Sequence, residues 1–379
     1  MTSKVDNVLV IGGCGFLGHH IVKLLLESKS SKISVLDLRT TRNRFPGVTY
    51  YNGDITSSTD VKRVFEEVKP EVIIHTASPI VNTLVKDQNI YYKVNVEGTQ
   101  NLLDCAVQSG YVKAFVYTSS ASVISDGEHD VRNGDETWPV LRGAKANDYY
   151  SHTKGIADEL VQASNRKNGS RMLTATIRPA GIFGEGDVQM LLGLLEVYHD
   201  GKHIYQLGDN KSYFDFTYVG NVAHAHILAA KHLLSASSSS TPLLSSQSVE
   251  GQAFFVTNDE PWHFWDFAQR VWRAAGDTST EKDRWVIPKN VALVIATLLE
   301  WIYWIVFWGT KQPLFTTQKV KPTCLYRTFN IEKAKTRLGY RPLTGMEEGI
   351  QRGMAWFETP EGKALLEGKK MEKLGKKEQ

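Results

Sequence analysis

The chain has 379 residues, of which 42% are hydrophobic and 22% are charged, so it is long enough for a large α/β domain with a second lobe, and its composition excludes wholesale disorder. The formal net charge of +3 gives no reason to expect a nucleic-acid partner. The three cysteines, Cys14, Cys105 and Cys324, cannot form a disulfide framework and lack metal-ligand spacing, so we expect no bound metal and a reducing compartment.

The N-terminal sequence MTSKVDNVLVIGG lacks the long apolar core and the cleavage site of a signal peptide, so we expect no secretion. After it, short apolar runs alternate with segments of helical periodicity. Strands are predicted at residues 8–11, 33–36, 48–51, 72–75, 114–118 and 173–177, and helices at 15–26, 61–68, 94–108 and 149–164. Continuous apolar strands between helices predict an α/β fold with a doubly wound parallel (Rossmann) sheet and a smaller C-terminal substrate-binding lobe.

The second half of the chain has a looser pattern. Residues 235–248 form a serine-rich insert that predicts a mobile surface loop, and residues 262–275 predict an amphipathic helix. The lysine-rich tail is expected to fray. We therefore predict three regions: a cofactor-binding domain over residues 1–180, a substrate-binding lobe over 181–360 that is interleaved with the sheet, and a basic tail over 361–379.

Four glycines follow the first predicted strand and open the first helix: Gly12, Gly13, Gly15 and Gly18. Glycine permits a tight turn and lets the backbone approach a pyrophosphate, while the helix N-terminus offers free N–H groups and a partial positive charge. The pattern predicts a dinucleotide site, and a glycine-rich turn without a ligand is the alternative.

Asp37 follows the second strand, where a ribose partner is expected. A carboxylate there accepts hydrogen bonds from a ribose 2′-hydroxyl and repels a 2′-phosphate, which favours NAD over NADP. Arg39 and Arg42 lie close by in sequence and could reduce that repulsion. Asp54 would suit the adenine edge, with a solvated turn aspartate as the alternative.

Tyr150 and Lys154 stand four residues apart on a predicted helix and therefore share one face. A phenol with a pKa of about 10 is a poor base at neutral pH, but a nearby ammonium stabilises the phenolate and lowers that pKa. Ser119 and Ser120 end the preceding strand at its carboxyl edge, where a hydroxyl can hold a substrate oxygen. The constellation predicts hydride transfer to a nicotinamide with proton transfer to Tyr150.

The glycine turn, the serine pair and Tyr-x-x-x-Lys, in this order, resemble the extended short-chain dehydrogenase/reductase superfamily. In this resemblance Ser120, Tyr150 and Lys154 match the catalytic triad. Ser120 is preferred over Ser119 because the small residue Ala121 follows it.

Three other features bear on the resemblance. Ile11 stands where the family usually has a threonine that braces the turn, Asn95 in NVEGT matches a helix asparagine, and Arg178 with Pro179 matches a turn beside the nicotinamide carboxamide. The resemblance implies a cofactor site formed by Gly12, Gly13, Gly15, Phe16, Leu17, Gly18, Asp37, Asp54, Ile55, Tyr150, Lys154 and Pro179.

Two downstream segments narrow the resemblance. Residues 208–230 (GDNKSYFDFTYVGNVAHAHILAA) resemble the 3β-hydroxysteroid dehydrogenase family, and residues 254–272 (FFVTNDEPWHFWDFAQRVW) resemble its fungal sterol-4α-carboxylate 3-dehydrogenases, which are decarboxylating. The resemblance implies NAD-dependent oxidation of the 3β-hydroxyl of a 4α-carboxysterol, with loss of CO2, in the C4 demethylation of sterol (ergosterol) biosynthesis. The oxidation makes a β-keto acid, which loses CO2 through an enol, so no dedicated decarboxylation residue is needed.

Other functions stay open on the sequence. They are a 3β-hydroxysteroid dehydrogenase for substrates without the carboxylate or for triterpenoids, a nucleotide-sugar epimerase or reductase, and an NAD-binding scaffold without turnover. His224 and His226 could contact a substrate carboxylate but are expected to be structural, and Asp215 is expected to brace its own segment.

Residues 291–308 form an apolar stretch that would be about 27 Å long as a helix, near the thickness of a bilayer core. Trp301, Trp304 and Trp308 share one face of it, while Glu300 argues against a lipid-exposed span. We expect interfacial attachment to the cytosolic face of the endoplasmic reticulum membrane at the mouth of the pocket, with a single span and a buried internal helix as the alternatives. A homodimer and association with other sterol C4-demethylation enzymes are also compatible with the resemblance.

Overall fold

A computed structural model describes residues 5–30, 32–80, 87–238, 247–308, 313 and 315–377, and side chains as far as residue 371. The strands are β1 Val8–Ile11, β2 Ile33–Asp37, β3 Thr49–Asn52, β4 Val72–His75, β5 Ala114–Thr118, β6 Val131–Gly134, β7 Leu173–Pro179, β8 Gly181–Phe183, β9 Tyr205–Leu207, β10 Tyr213–Phe214, β11 Phe216–Tyr218, β12 Gln252–Val256, β13 Trp262–His263, β14 Trp285–Ile287 and β15 Arg327–Phe329.

The α-helices are α1 Phe16–Glu27, α2 Ser58–Val68, α3 Asn89–Tyr91, α4 Thr99–Ser109, α5 Tyr149–Ala163, α6 Met190–His199, α7 Val219–Ser238, α8 Phe264–Ala274, α9 Lys289–Phe307, α10 Thr317–Val320, α11 Met346–Phe357 and α12 Pro360–Lys377. A π-helical turn, Tyr92–Gly98, joins α3 to α4, and a short 3-10 helix, Ala121–Ile124, follows β5.

The main sheet has seven parallel strands in the order β12-β7-β5-β4-β1-β2-β3. Strands β1, β4 and β5 are buried along their whole length, and separate apolar cores cover the two faces of the sheet. The predicted doubly wound Rossmann fold is confirmed. The strand order reverses between β1 and β4, which is where an open α/β sheet binds its ligand, at the carboxyl ends of the strands.

The lobe and the sheet exchange strands. The seventh strand of the main sheet, β12, comes from the second half of the chain and pairs with β7. In return, β6 from the first half joins a four-stranded sheet in the order β13-β10-β15-β6. The sequence did not predict β6 or β12 as strands, because their partners are distant in sequence. The predicted domain limits stay a prediction.

Helix α9 is apolar but exposed. An 18-residue window of this helix has a mean hydropathy of 1.8, and only 11% of that window is buried inside the protein. The helix is therefore not a buried internal helix. By length and composition it could cross a membrane. Ala292 and Ala296 alone among its residues are buried, where they pack against Val320. Glu300 accepts hydrogen bonds from the backbone N–H and the hydroxyl of Thr317, at 2.8 and 3.1 Å, so its charge is partly satisfied inside the protein.

Irregular structure was expected in two segments, the lysine-rich tail and the serine-rich insert. The tail forms helix α12 where fraying was expected. Of the serine-rich insert, residues 239–246 lie outside the described residues.

Candidate functional site

The glycine-rich turn joins β1 to α1 in a conformation that requires its glycines. Gly12 has a φ of +79°, and a Cβ on Gly18 would lie 2.2 Å from the carbonyl oxygen of Gly12. Gly15 is the N-cap of α1, and within that helix no side chain caps the first turn and no acidic residue lies in it. The backbone N–H groups at this end are therefore open to an anion.

Thr76 supplies the hydroxyl that the family pattern would place at position 11. Its Oγ1 donates to the carbonyl oxygen of Ile11 at 2.9 Å and to that of Gly12 at 3.3 Å. Thr76 follows β4, so the turn is braced from the neighbouring strand. The sequence could not show this replacement, because the two positions are 65 residues apart.

Asp37 ends β2 beside the glycine turn. Its Oδ2 accepts a hydrogen bond from the N–H of Cys14 at 3.0 Å, and its Oδ1 accepts one from the N–H of Arg39 at 3.1 Å. These bonds fix the carboxylate in the orientation that a ribose hydroxyl would meet. Arg42, and not the Arg39 side chain, lines the adjoining cavity, so Arg42 is the cation closer to that ribose position.

Asp54 and Ile55 follow β3 and also line the cavity. The Oδ1 of Asp54 accepts the N–H of Thr56 at 2.8 Å, so the carboxylate orders its own turn. Ile55 is buried against Gly98, where an added Cβ would lie 2.7 Å from the isoleucine side chain. Asp54 therefore stabilises a turn, which was the alternative role for it, and it also lines the cavity.

One cavity of about 1230 Å³ joins these elements to the lobe. Every residue predicted to hold the cofactor lines it except Gly13, whose Cβ position lies 2.7 Å from the methyl groups of Val35. Ser120, Tyr150 and Lys154 line the same cavity. The glycine turn and the predicted catalytic residues thus share one space, as a dinucleotide and its substrate require.

Tyr150 lies on the first turn of α5. Burial and the nearby negative charge of Asp148 raise the pKa of its phenol well above 10, although a hydrogen bond with Ser78 acts in the opposite direction. Its ring packs edge-on against Tyr91, with 5.9 Å between the ring centres. Burial therefore favours the protonated phenol, whereas the sequence predicted that Lys154 lowers this pKa.

Lys154 is buried one turn further along α5. Its Nζ donates to the carbonyl oxygen of Thr118 at 2.5 Å and lies 4.5 Å from the centre of the Tyr117 ring. Burial lowers the pKa of its ammonium to about 7, while the charge of Asp158 acts against that shift. The ammonium thus points to the end of β5, and not to the phenol.

The serine predicted to hold the substrate belongs to a hydroxyl chain. Ser120 caps the 3-10 helix, and its Oγ lies 2.9 Å from that of Ser122, which accepts a hydrogen bond from Ser151 at 3.0 Å. Ser119 is buried, and its hydroxyl has no partner among the described residues. Ser122 also lines the cavity and was missed, although it lies only two residues beyond Ser120.

Asn95 is fully buried in the π-helical turn and connects two parts of the site. Its Nδ2 donates to the hydroxyl of Thr153 on α5 at 3.0 Å, and its Oδ1 accepts the hydroxyl of Ser78 at 2.9 Å. π-Helical turns are frequent at functional sites. Here the turn holds the amide between the tyrosine helix and Ser78, which the sequence pattern alone did not show.

Arg178 and Pro179 end β7 and have different surroundings. Arg178 is buried and makes a two-bond pair with Asp158, with both N–O distances at 2.9 Å. It therefore joins the main sheet to α5. Pro179, but not Arg178, lines the cavity.

The histidines and Asp215 were expected to be structural. The structure shows such contacts for His226 and for Asp215, although Asp215 braces β15 and not its own segment. His226 is buried between the hydroxyl of Thr118, at 2.7 Å, and the carbonyl oxygen of Val222, at 2.8 Å, and burial lowers its pKa to about 4. Neither His226 nor His224 lines the cavity as described. Asp215 does line it, but its Oδ2 accepts the N–H of Phe329 at 2.7 Å, and burial raises its pKa to about 7.

Among the described residues, the lobe side of the cavity combines apolar side chains with the cation of Arg327 and with the carboxylates of Glu185, Asp187, Asp215 and Glu361. Its side chains come from distant parts of the chain, including Ile182, Met190, Phe214, Phe329 and Trp356. The sequence did not identify these residues or Arg327, because only the folded sheet brings them together. Among the described lining residues none belongs to α9, so the structure does not place that helix at the mouth.

The residues present fit a nicotinamide dinucleotide. The turn leaves space where Cβ atoms would lie, the start of α1 is uncapped, and Asp37 offers a carboxylate. These features meet the needs of a pyrophosphate and a ribose. Tyr150 and Ser120 line the same cavity.

Comparison with a family model agrees with this arrangement. The model for the 3-beta hydroxysteroid dehydrogenase/isomerase family matches residues 9–289. The resemblance seen in the sequence is thereby confirmed.

Two sequence relatives match nearly the whole chain. The chain is 40% identical to the Saccharomyces cerevisiae protein named sterol-4-alpha-carboxylate 3-dehydrogenase, decarboxylating, over 94% of this chain and 99% of that one. It is 35% identical to the Homo sapiens protein of the same name, over 94% of this chain and 89% of that one.

Solved structures share the fold at lower sequence identity. The Thermus thermophilus UDP-glucose 4-epimerase, solved as a complex with NAD, aligns with a TM-score of 0.67 and 23% identity over 93% of this chain and 99% of that chain. The Bacillus anthracis dTDP-glucose 4,6-dehydratase, also solved with NAD, aligns with a TM-score of 0.67 and 19% identity over 95% and 99% of the two chains. At this identity the likeness is one of fold.

Proposed function

Since this chain belongs to the 3-beta hydroxysteroid dehydrogenase/isomerase family, we propose that it oxidises the 3β-hydroxyl of a 4α-carboxysterol to the 3-ketone, with loss of CO2, in sterol C4 demethylation. The observation that carries the proposal is the match over almost the full length of both chains to the yeast enzyme that bears this activity in its name. The apolar part of the cavity suits a sterol better than a nucleotide sugar.

In this proposal Tyr150 accepts the proton of the 3-hydroxyl while Ser120 holds the hydroxyl oxygen. A bound NAD supplies the acceptor for the hydrogen that leaves carbon 3. Because burial and Asp148 raise the pKa of Tyr150, the phenolate needs positive charge close to it. We propose that Lys154, one turn further along α5, provides that charge.

The second step needs little from the protein. Oxidation at carbon 3 places a ketone next to the carbon that bears the carboxylate. The bond from carbon 4 to the carboxyl carbon then breaks and CO2 leaves. Its electron pair forms the double bond between carbons 3 and 4, and the oxygen on carbon 3 takes the proton that Tyr150 accepted in the first step, which gives the enol. The role of the cavity is to bring the hydroxyl to Tyr150.

For the cofactor we propose NAD in preference to NADP, with contacts from the cavity-lining residues predicted for it. The carboxylate of Asp37 is held by two backbone N–H groups in the place where a 2′-phosphate would meet it. Arg42 also lines the cavity, and its positive charge could reduce the repulsion of a 2′-phosphate, which would weaken the preference for NAD.

We propose that the protein works at a membrane, on the cytosolic face of the endoplasmic reticulum, and attaches through α9. The argument is the exposure of that helix: the side chains of Trp301 and Trp304 are each 63% exposed, and that of Trp308, just after it, is 89% exposed. Exposed apolar surface of this extent promotes aggregation in water and is stabilised at a bilayer interface.

The test is to give the purified protein NAD and a 4α-carboxysterol in detergent, and to follow NADH absorbance together with released CO2. We expect one CO2 for each NADH. NADH without CO2 would point to the dehydrogenase branch that acts on other steroids, and no turnover with any 3β-hydroxysterol would refute the proposal.

A further inference from the structure

Arg327 is a cation on the apolar side of the cavity. It lies on β15, opposite Phe214 of β10, and both side chains line the cavity. Its guanidinium lies over the Phe214 ring, 5.3 Å from the ring centre. The elements that form the cofactor end of the cavity belong to the main sheet, whereas Arg327 belongs to the sheet of the lobe.

Arg327 has no carboxylate partner of its own. Its Nε is buried without a hydrogen-bond partner, and no carboxylate of the described residues lies within ion-pairing distance of it. A guanidinium stays charged in proteins, and a buried charge without a partner costs free energy. The arrangement is therefore one that an anionic ligand would complete.

Asp148 relates Arg327 to Tyr150. Burial lowers the pKa of Arg327 and raises that of Tyr150, and the charge of Asp148 opposes the first shift and adds to the second, so both groups lie within electrostatic range of the same carboxylate. Asp148 itself is engaged as the N-cap of α5, where its Oδ1 accepts the N–H of Ser151 at 2.6 Å. It orients the tyrosine helix and leaves the guanidinium unpaired.

We propose that Arg327 binds the 4α-carboxylate of the substrate, an inference that rests on the proposed function. The hydroxyl and the carboxylate sit on adjacent carbons of the sterol, so a group that holds the second must lie near the group that deprotonates the first. A planar guanidinium can take both carboxylate oxygens at once, which fixes the ring plane as well as the position of carbon 4.

This pairing has a consequence for the order of events. The paired carboxylate keeps its electrons while the hydroxyl is oxidised, so Arg327 serves substrate choice and orientation and not the breaking of the carbon–carbon bond. Once CO2 has left, the product lacks the group that Arg327 holds, and its affinity for the cavity falls.

The test compares two sterols that differ only at carbon 4, one with a carboxylate and one with a methyl group. For Arg327→Met we expect kcat/KM for the acid to fall roughly ten-fold to a hundred-fold, the usual range for losing a charge-assisted hydrogen bond, mainly through KM. The value for the methyl sterol should stay the same. Arg327→Lys, which keeps the charge but loses the planar fork, should recover part of the loss.

Arg132→Met is the matched control. Arg132 lies on β6 of the same sheet, but it is exposed and pairs with Asp130 at 2.9 Å. The Arg132→Met variant should have the wild-type kcat/KM for both sterols. An equal loss for both sterols with Arg327→Met, or no loss for the acid, would overturn the role of Arg327.

A binding measurement separates this proposal from the proposed function. The dissociation constant of the acid and of its methyl ester is measured with the NAD-loaded wild type, in detergent and at two salt concentrations. We expect the acid to bind more tightly, and its advantage to shrink at high salt. Equal binding would overturn the inference even if Arg327→Met does not fold, whereas tight binding of the acid without turnover would overturn only the function.

Discussion

The surroundings of Tyr150 determine how easily its phenol loses a proton. Burial and Asp148 both raise the pKa of the phenol, and Lys154 donates its hydrogen bond to the carbonyl oxygen of Thr118. In the proposed reaction the phenolate therefore needs positive charge close to it, and Lys154, one helical turn away, is the cation that can supply it.

We expect Tyr150→Phe to lower turnover by roughly 10²–10⁴-fold, because the ring remains but the group that accepts the proton is gone. NAD affinity, measured by the change in intrinsic fluorescence on titration, should change little. Tyr149→Phe is the matched control, since the adjacent hydroxyl lies on the same helix but outside the cavity lining as described. Near-normal turnover in Tyr150→Phe would show that another group is the base.

Asp37→Ala should change which cofactor the protein prefers. We expect NAD affinity to fall by roughly ten-fold, because a charge-assisted hydrogen bond is lost. NADP affinity should rise relative to NAD affinity, because the repulsion of the 2′-phosphate is removed. The measurement is kcat/KM for both cofactors at saturating sterol. Arg42→Ala should weaken NADP further, while Arg39→Ala, whose side chain lies outside the lining residues, should not. A wild type that already prefers NADP would contradict this assignment.

At the scale of elements, the pair between Asp158 and Arg178 fixes helix α5 against strand β7. Both side chains are buried and make two hydrogen bonds at 2.9 Å. Tyr150 and Lys154 lie on that helix and Pro179 follows Arg178, so the pair sets the distance between the catalytic helix and the edge of the cofactor site. Its role is structural, although the sequence pattern associated Arg178 with the nicotinamide.

Arg178→Met should lower the free energy of unfolding by about 3 to 5 kcal/mol, because the Asp158 carboxylate is left buried and unpaired. Urea unfolding followed by circular dichroism measures it. Removing both charges, with Asp158→Leu added, should restore part of the loss. Arg166→Met provides the comparison: its pair with Glu250, at 2.8 Å, is at the surface and should cost less than about 1 kcal/mol. Similar losses for the two single variants would contradict the structural role.

For the whole molecule, the exposed helix α9 is the segment through which we propose that the protein attaches to a membrane. Replacing Trp301, Trp304 and Trp308 with serine should lower the membrane-bound fraction at least ten-fold, since each aromatic side chain taken out of a lipid interface removes roughly 1.5 kcal/mol or more. Fractionation of full-length protein with vesicles measures it, and Trp138→Ser, far away in sequence, is the control. Activity towards detergent-solubilised sterol should persist.

The opposite outcomes are also informative. Wild type that stays in solution without detergent would refute attachment. Triple-variant protein that resists extraction by alkaline carbonate would favour a helix that spans the bilayer over one that lies in its interface.

Local pattern was sufficient for the parts of the molecule that are local in sequence. Strands β1, β2, β4 and β5 of the main sheet could be predicted because each is a mainly apolar run, and the glycine turn because its spacing is short. Tyr150 and Lys154 could be placed together because one helical turn relates them.

Features that depend on distant pairing could not be predicted in the same way. Thr76 braces a turn that is 65 residues away, and Arg327 enters the cavity only because β15 pairs with β10. The pKa of Tyr150 was expected to fall, since the helix places Lys154 on the same face, but the side chain of Lys154 turns to Thr118. Side-chain direction inside a cavity depends on neighbours that spacing does not specify.

The exchange of strands between the sheet and the lobe has a consequence for how such a protein can evolve. A gene crossover near residue 180 would give offspring whose main sheet takes β12 from one parent and whose lobe takes β6 from the other. The interfaces of β12 with β7 and of β6 with β15 would then each join strands that had not evolved together. Substrate range in this architecture is therefore expected to diversify by point changes within the lobe, and rarely by swapping the lobe as a module.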